Sequence, residues 1–124
     1  MEIESQYKSL VESLRLLASS YEQQQSYLPD FVIVQDEVVA MFCDAFLLLP
    51  EIIEAGFLEK SSIASIIRCF NWMDLAIRNK EISDLESFKS HDIWQKVRYL
   101  ADQALTEMKE FKEEPDLSHI NWID

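Results

Sequence analysis

A chain of 124 residues is long enough for one domain with its own core, and an apolar content of 48% argues against intrinsic disorder. One glycine and three prolines are too few for the many turns of a sheet-rich fold, so the composition predicts long helices. A formal net charge of −12 opposes binding to nucleic acid or anionic membranes and favours a basic protein partner, although an acidic surface also serves solubility.

The first predicted helix covers residues 2–26, where apolar side chains recur at steps of three and four residues. These side chains are Ile3, Tyr7, Leu10, Leu14, Leu17, Ala18 and Tyr21. Pro29 disfavours helix at Leu28 and marks the break before the next segment.

The second predicted helix, residues 31–55, has the widest apolar stripe and therefore suits the centre of a bundle. The stripe consists of Val34, Val38, Met41, Phe42, Ala45, Leu48, Leu49, Ile52 and Ile53. Residues 31–34 are rich in β-branched side chains and could instead be extended. Pro50 is expected to kink or divide the helix, and Gly56 is expected to follow its C-cap.

Two further helices are predicted, joined by a polar connection. One covers residues 61–78, with Ser61 or Ser62 as its N-cap. Residues 79–90 are expected to form a loop with one short turn of helix. The last helix covers residues 92–112, where apolar positions keep the same spacing.

Pro115 is expected to end the last helix. The tail that follows, residues 116–124, carries four large apolar side chains: Leu117, Ile120, Trp122 and Ile123. Such a tail is expected to dock on its own domain, and the alternative is contact with a partner. The predicted fold is therefore all-α: a single domain over residues 1–124 that is a bundle of four main helices, with a kink or break at Pro50 and a docked C-terminal tail.

Neither a disulfide nor a targeting segment is expected. Cys43 and Cys69 each lie in an apolar run, which is typical of buried free thiols. Residues 1–4 are acidic and lack the apolar core of a signal peptide. The longest apolar stretch, residues 38–49, is interrupted by Asp44 and is too short to cross a bilayer. A cytoplasmic location is therefore expected.

Motifs of catalysis and metal binding are missing from the sequence. Phe88 and Asp116 stand three residues before the two histidines, His91 and His119, so no Glu-x-x-His pair of the di-metal bundles exists. Cys-x-x-Cys pairs, His-Glu-x-x-His and a glycine-rich phosphate loop are also missing. We expect no enzyme activity, metal or cofactor. The alternative is a hydrolase whose side chains meet only in the folded chain.

Acidic side chains without basic neighbours fill the region between Arg15 and Lys60. The eight carboxylates there belong to Glu22, Asp30, Asp36, Glu37, Asp44, Glu51, Glu54 and Glu59. Four of them follow one another at intervals of seven residues: Asp30, Glu37, Asp44 and Glu51. Seven residues is close to two helical turns, so a helix continuous across Pro50 would place these four on one face, with Glu54 one turn further.

Like charges at this spacing cost some stability. A series of carboxylates without compensating cations is therefore a candidate contact surface for a basic partner. The alternative is that these carboxylates form the solvated outer face of a core helix.

Three stretches of the chain carry a family resemblance. They are residues 42–58 (FCDAFLLLPEIIEAGFL), the helix that follows from Ser61, and residues 94–101 (WQKVRYLA). Together they resemble the small, acidic, helical immunity proteins encoded beside bacterial polymorphic toxins, including contact-dependent growth inhibition systems. The resemblance spans residues 38–108 and is a pattern of apolar and acidic positions.

The resemblance implies a protein that binds one cognate toxin domain, often a basic nuclease, and blocks its active site or an essential surface. Asp44, Glu51 and Glu54 are the matching acidic positions, whereas Trp94 and Arg98 would be structural.

Combining charge and resemblance, we predict an immunity protein, as monomer or homodimer, that binds a basic toxin protein. The predicted partner-binding residues are Asp30, Asp36, Glu37, Asp44, Glu51 and Glu54. The alternative is a helical structural or homo-oligomeric protein without a toxin partner, in which Trp72 and the tail around Trp122 form a dimer surface.

Overall fold

The computed structural model describes residues 2–118, 120 and 122, which form seven α-helices and no strand. The helices are α1 (Ile3–Ala18), α2 (Tyr21–Tyr27), α3 (Val34–Leu47), α4 (Leu49–Glu54), α5 (Lys60–Arg78), α6 (Leu85–Ser90) and α7 (Asp92–Glu107). The prediction of an all-α fold is confirmed. The described residues contain no helix that is both long and apolar enough to cross a membrane.

The four longest helices correspond to the four predicted segments and surround one hydrophobic core. α1 lies between α3 and α7, while α5 packs against α7 and also touches α3. Each long helix contributes fully buried side chains, among them Leu14, Phe42, Met73 and Trp94. The central helix is α1 and not the second segment, which was predicted to be central, because the side chains of α1 are buried without interruption from Leu10 to its end while α3 buries only one stripe.

The first predicted segment is divided into α1 and α2, so the prediction of one continuous helix is wrong. The hydroxyl of Ser20 accepts a hydrogen bond from the backbone N–H of Gln23, at 3.2 Å. The side-chain oxygen of Gln23 accepts one from the backbone N–H of Ser20, at 3.0 Å. This capping box starts a new helix where the periodicity alone predicted continuation.

α2 folds back onto the end of α1. Gln24 is fully buried, and its amide nitrogen donates to the carbonyl of Leu16 at 3.0 Å and to that of Leu17 at 3.5 Å. Carbonyls in the last turn of a helix have no partner within that helix. The side chain of Gln24 supplies a hydrogen-bond donor to these carbonyls and thereby fixes α2 against α1.

The second segment begins later than expected, and the predicted break at Pro50 is found two residues earlier, at Leu48. Residues 30 and 31 lie in a turn and Ile33 is extended, so helix starts at Val34 instead of residue 31. Leu48 is the junction between α3 and α4, with φ −92° and ψ 2°. Pro50 lacks an amide hydrogen and its ring crowds the carbonyl four residues earlier, so one continuous helix is unfavourable.

Gly56 ends α4 in the predicted way, with a φ of +83°. Its amide donates to the carbonyl of Ile53 at 3.0 Å, and the amide of Phe57 donates to that of Ile52 at 3.4 Å. This is the Schellman arrangement of a helix C-terminus. The ring of Phe57 then stacks on Tyr7 of α1, with 5.1 Å between ring centroids.

A Gly56→Ala variant is expected to lose about 1 kcal/mol of unfolding free energy, because side chains other than glycine's disfavour this backbone conformation. No atom lies within 4 Å of the added Cβ, so the cost is conformational and not steric. Urea denaturation measures it. Gly56→Asn is the control and should lose less, since asparagine tolerates positive φ. An unchanged midpoint for Gly56→Ala would contradict the expectation.

α5 begins at Lys60, with Glu59 and neither predicted serine as its N-cap, and ends at Arg78 as predicted. The hydroxyl of Ser62 donates instead to the carbonyl of Glu107, at 3.0 Å, and ties the start of α5 to the end of α7. α6 is the short turn of helix expected within residues 79–90.

α7 begins at Asp92 as predicted but ends at Glu107, five residues earlier than expected. Lys109 adopts a left-handed φ of 62°. The amides of Lys109 and Glu110 donate to the carbonyls of Thr106 and Leu105 and close the helix. Phe111 therefore leaves the apolar stripe and is 80% exposed. Pro115 is buried in the segment that follows and does not end the helix.

That C-terminal segment docks on α1 through a charged network. Nη1 of Arg15 lies 2.9 Å from a carboxylate oxygen of Glu12, and Nε of Arg15 donates to the carbonyl of Phe111 at 2.9 Å. The other oxygen of Glu12 accepts from the backbone N–H of Asp116 at 2.8 Å. Lys8 pairs with the Asp116 carboxylate at 2.8 Å.

The predicted docking of the tail on its own domain is confirmed over the described residues. Leu117 and Trp122 are partly buried and pack against the core. Ile123, which belongs to the predicted apolar tail, and His119 lie outside the described residues.

Candidate protein-binding surface

The six predicted contact residues lie at the surface of one stretch of chain. Asp30 lies in the turn before α3, Asp36, Glu37 and Asp44 lie on α3, and Glu51 and Glu54 lie on α4. Glu37 is partly buried and the other five are exposed. Within the described part of the chain, none of the six carboxylates forms an ion pair.

The condition for a single face of four carboxylates, one helix continuous across Pro50, is not met. Asp30 precedes α3, and Glu51 lies beyond the junction at Leu48, so only Glu37 and Asp44 share a face of one helix. Asp36 lines a different depression, next to Ile77 of α5. Residues seven positions apart therefore share a face only where the backbone between them is one continuous helix.

Glu37 and Asp44 line a groove of about 290 Å³, which we call the acid-lined groove. Between the two carboxylates, α3 contributes Ala40 and Met41, and Leu48 lies at its C-terminal end. Ser9 of α1 and Ile120 of the tail complete the lining. The groove is therefore apolar between two carboxylates that lie about 10 Å apart along the helix axis, at about 1.5 Å per residue.

Positive charge lies elsewhere on the molecule. Lys and Arg are missing from residues 16–59, which contain α2, α3 and α4. Beyond them, Arg78 pairs with Asp74 at 2.9 Å, and Lys96 lies 4.3 Å from the ring centroid of Trp72. α2, α3 and α4 therefore contribute carboxylates and no cations to the surface, which favours the approach of positively charged groups.

Arg98 is a buried cation with a structural role. Its side chain is 6% exposed, its Nε donates to the carbonyl of Ser19 at 3.2 Å, and its guanidinium lies 4.8 Å from the ring centroid of Phe88. Burial lowers the pKa of Arg98, and the charge of Glu22 opposes that shift. Arg98 therefore links α7 to the junction of α1 and α2 and does not line the acid-lined groove.

The reactive side chains show no catalytic grouping among the described residues. Cys43 and Cys69 are free thiols. Cys69 is buried, which raises its pKa to about 12, whereas Cys43 is only partly buried. His91 caps α7, its Nδ1 accepting from the backbone N–H of Ile93 at 3.1 Å. No three His, Cys, Asp or Glu side chains of residues 2–118, 120 and 122 come together to hold a metal ion.

The fold and surface define an all-α protein with one strongly acidic side. Comparison with protein-family models, curated proteins and solved structures finds no match to the chain. The acidic side and its groove are therefore the features from which a function can be inferred.

Sequence reasoning missed the floor of the groove, because it assigned Met41 and Leu48 to the buried stripe. Ala40 could have been found, since it stands three residues after Glu37 and four before Asp44, on the same face of α3. The part of the lining contributed by α1 depends on tertiary packing and has no local signal.

Proposed function

We propose that the protein is a cytoplasmic immunity protein that binds and neutralises a basic, nuclease-type toxin domain through the acidic side formed by α3 and α4. The observation that carries this proposal is the set of surface carboxylates, Asp30 to Glu54, that lack ion-pair partners within the described chain. The resemblance of residues 38–108 to small acidic immunity proteins supports the same role.

The negative charge of the acidic side is complementary to the surface of a nuclease. Nucleases hold phosphate groups with Lys and Arg, so their substrate surfaces are positively charged. A surface of opposite sign steers the encounter and sets its orientation, while buried charge pairs slow dissociation. An immunity protein seated on such a surface excludes the nucleic acid and needs no catalytic group of its own.

Charge reversal at Asp44 and Glu51 to Lys is expected to slow association with the toxin by about tenfold or more at low salt, because the steering field weakens. Co-purification from the native cell with mass spectrometry identifies the partner, and surface plasmon resonance then measures the association rate. A stoichiometric basic protein that is lost at high salt is the expected capture.

The matched control is charge reversal at Glu81 and Glu114 to Lys, which changes the net charge equally. Both residues are exposed and lie outside the acidic side. An equal loss in both variants would assign the effect to net charge alone. Unchanged association and affinity in the Asp44 and Glu51 variant would exclude α3 and α4 as the interface.

A homo-oligomer is the second candidate, because several large apolar side chains away from α3 are exposed. Leu75 is 55% exposed, Tyr99 62% and Phe111 80%. The two tryptophans predicted for a dimer surface are less available, since Trp72 is covered by Lys96 and Trp122 packs partly on the core. A monomer at all concentrations in analytical ultracentrifugation would exclude this candidate.

A further inference from the structure

We propose that the acid-lined groove is the anchor point of the interface and takes one long aliphatic side chain flanked by two cations on a helix of the basic partner. This inference rests on the proposed function and specifies where on the acidic side the affinity arises.

The size and lining of the groove fit a side chain. Its volume of about 290 Å³ lies at the lower limit of ligand pockets, which span roughly 300–1,000 Å³. Ala40, Met41 and Leu48 give it an apolar lining. Leu47, one turn beyond Asp44, is 75% exposed and extends the apolar surface beside the rim. Burial of apolar surface in such a depression is how interface anchors gain most of their affinity.

The spacing of the two carboxylates specifies the partner's pattern. Glu37 and Asp44 stand two turns apart on α3, with the apolar lining between them. A partner helix lying along α3 repeats the same interval when it carries Lys or Arg at positions i and i+7 and Leu or Met at i+3 or i+4. Both cations then lie over carboxylates while the aliphatic side chain enters the groove.

Charge selects this occupant over the others. A second copy of this chain has a net charge of −12 and would bring like charge to Glu37 and Asp44. An anionic lipid or a nucleotide is repelled for the same reason. A basic amphipathic helix is the occupant that complements both the apolar lining and the two carboxylates.

The test uses a stapled helical peptide with Lys at positions i and i+7 and Leu at i+4, titrated into the full chain. We expect saturable binding with amide NMR shifts centred on Ala40, Met41 and Leu48. Ala40→Phe should weaken binding by about tenfold or more, because the ring occupies the space of the anchor. Ala40 is exposed, so the ring does not overpack the core. A peptide with Ser in place of Leu should bind the unaltered protein as weakly as the Leu peptide binds the Ala40→Phe variant.

Two further variants keep the test interpretable. Ala64→Phe introduces the same ring at an exposed position of α5 and should bind the peptide normally. Glu37→Gln with Asp44→Asn keeps the shape of the groove and removes its charge, so affinity should fall and depend less steeply on salt. No saturable binding, shifts centred elsewhere, or equal binding by Ala40→Phe would overturn the inference.

The outcomes separate this inference from the proposed function. A basic toxin captured through Asp44 and Glu51 but unaffected by Ala40→Phe would refute the groove as anchor and leave the immunity role standing. Binding of the peptide in the groove, without any basic toxin among the captured proteins, would refute the toxin partner and leave the groove as a site for basic helices.

Discussion

An Arg15→Ala variant is expected to lose about 3–5 kcal/mol of unfolding free energy, as is typical when one partner of a buried ion pair is removed. The side chains of Arg15 and Glu12 are only 9% and 5% exposed. Arg15 also lies 3.3 Å from Glu113 and 3.6 Å from Glu110, so its loss leaves three carboxylates without their shared cation. The carbonyl of Phe111 loses its donor as well. Urea denaturation followed by circular dichroism measures the loss.

Arg78→Ala is the control for this prediction. Arg78 pairs with Asp74 at the same 2.9 Å, but its side chain is 76% exposed, so the expected loss is about 0–1 kcal/mol. A double variant, Glu12→Gln with Arg15→Leu, should recover part of the stability, because no buried charge remains unpaired. Equal losses for Arg15→Ala and Arg78→Ala would show that the network does not hold the C-terminal segment.

A Trp94→Ala variant is expected to lose about 3–5 kcal/mol through the cavity that it leaves in the core. Trp94 is fully buried, and its ring meets Phe88 edge-on, with 4.9 Å between centroids. Its indole N–H donates to the carbonyl of Ile82 at 2.7 Å and thereby fixes the connection before α6 to α7. Such a loss is a large share of the roughly 5–15 kcal/mol that stabilises a typical domain. Thermal and urea denaturation both measure it.

Two comparisons separate the contributions of Trp94. Trp94→Phe keeps an aromatic ring and should lose about 1–3 kcal/mol, chiefly because the carbonyl of Ile82 is left without a donor. Trp72→Ala removes the same side chain from a partly buried position on α5 and should cost less than Trp94→Ala. If Trp72→Ala proved the more costly change, the assignment of Trp94 to the core would be contradicted.

The breaks in the second segment could be predicted because they follow from local backbone chemistry. Pro50 cannot continue a helix and Gly56 adopts positive φ, so both positions are visible in the sequence. The capping box at Ser20 was equally local, with Gln23 at the required spacing, and was missed because apolar periodicity continued to Tyr21.

The end of α7 could not be predicted in the same way. Lys109 is neither glycine nor asparagine, and nothing in its immediate sequence favours a left-handed φ. The turn is closed by local hydrogen bonds from Lys109 and Glu110, and the segment that follows is held by a tertiary contact, the bond from Arg15 of α1 to the carbonyl of Phe111. The sequence therefore predicted α7 but not the residue at which it ends.

In the candidate site, too, some features follow from the local sequence and others only from tertiary packing. The charges of Glu37 and Asp44, and their shared face of α3, follow from spacing within one helix. The groove beside them also needs Ser9 of α1 and Ile120 of the tail, which only tertiary packing brings to α3. The separate positions of Asp30 and Glu51 follow from the turn before α3 and from the break at Leu48.

The network between α1 and the C-terminal segment bears on how the chain folds as it leaves the ribosome. The bonds from Tyr7 to Glu110 and from Asp116 to Glu12 join residues 103 and 104 positions apart. α1 is synthesised before α7 and the C-terminal segment, which supply much of its packing surface and several of its charged partners. Contacts this distant in sequence close a long loop at an entropic cost and form late. The native packing of α1 is therefore completed only after residue 116 has left the ribosome, and until then α1 can pack only on the elements already synthesised, such as α3.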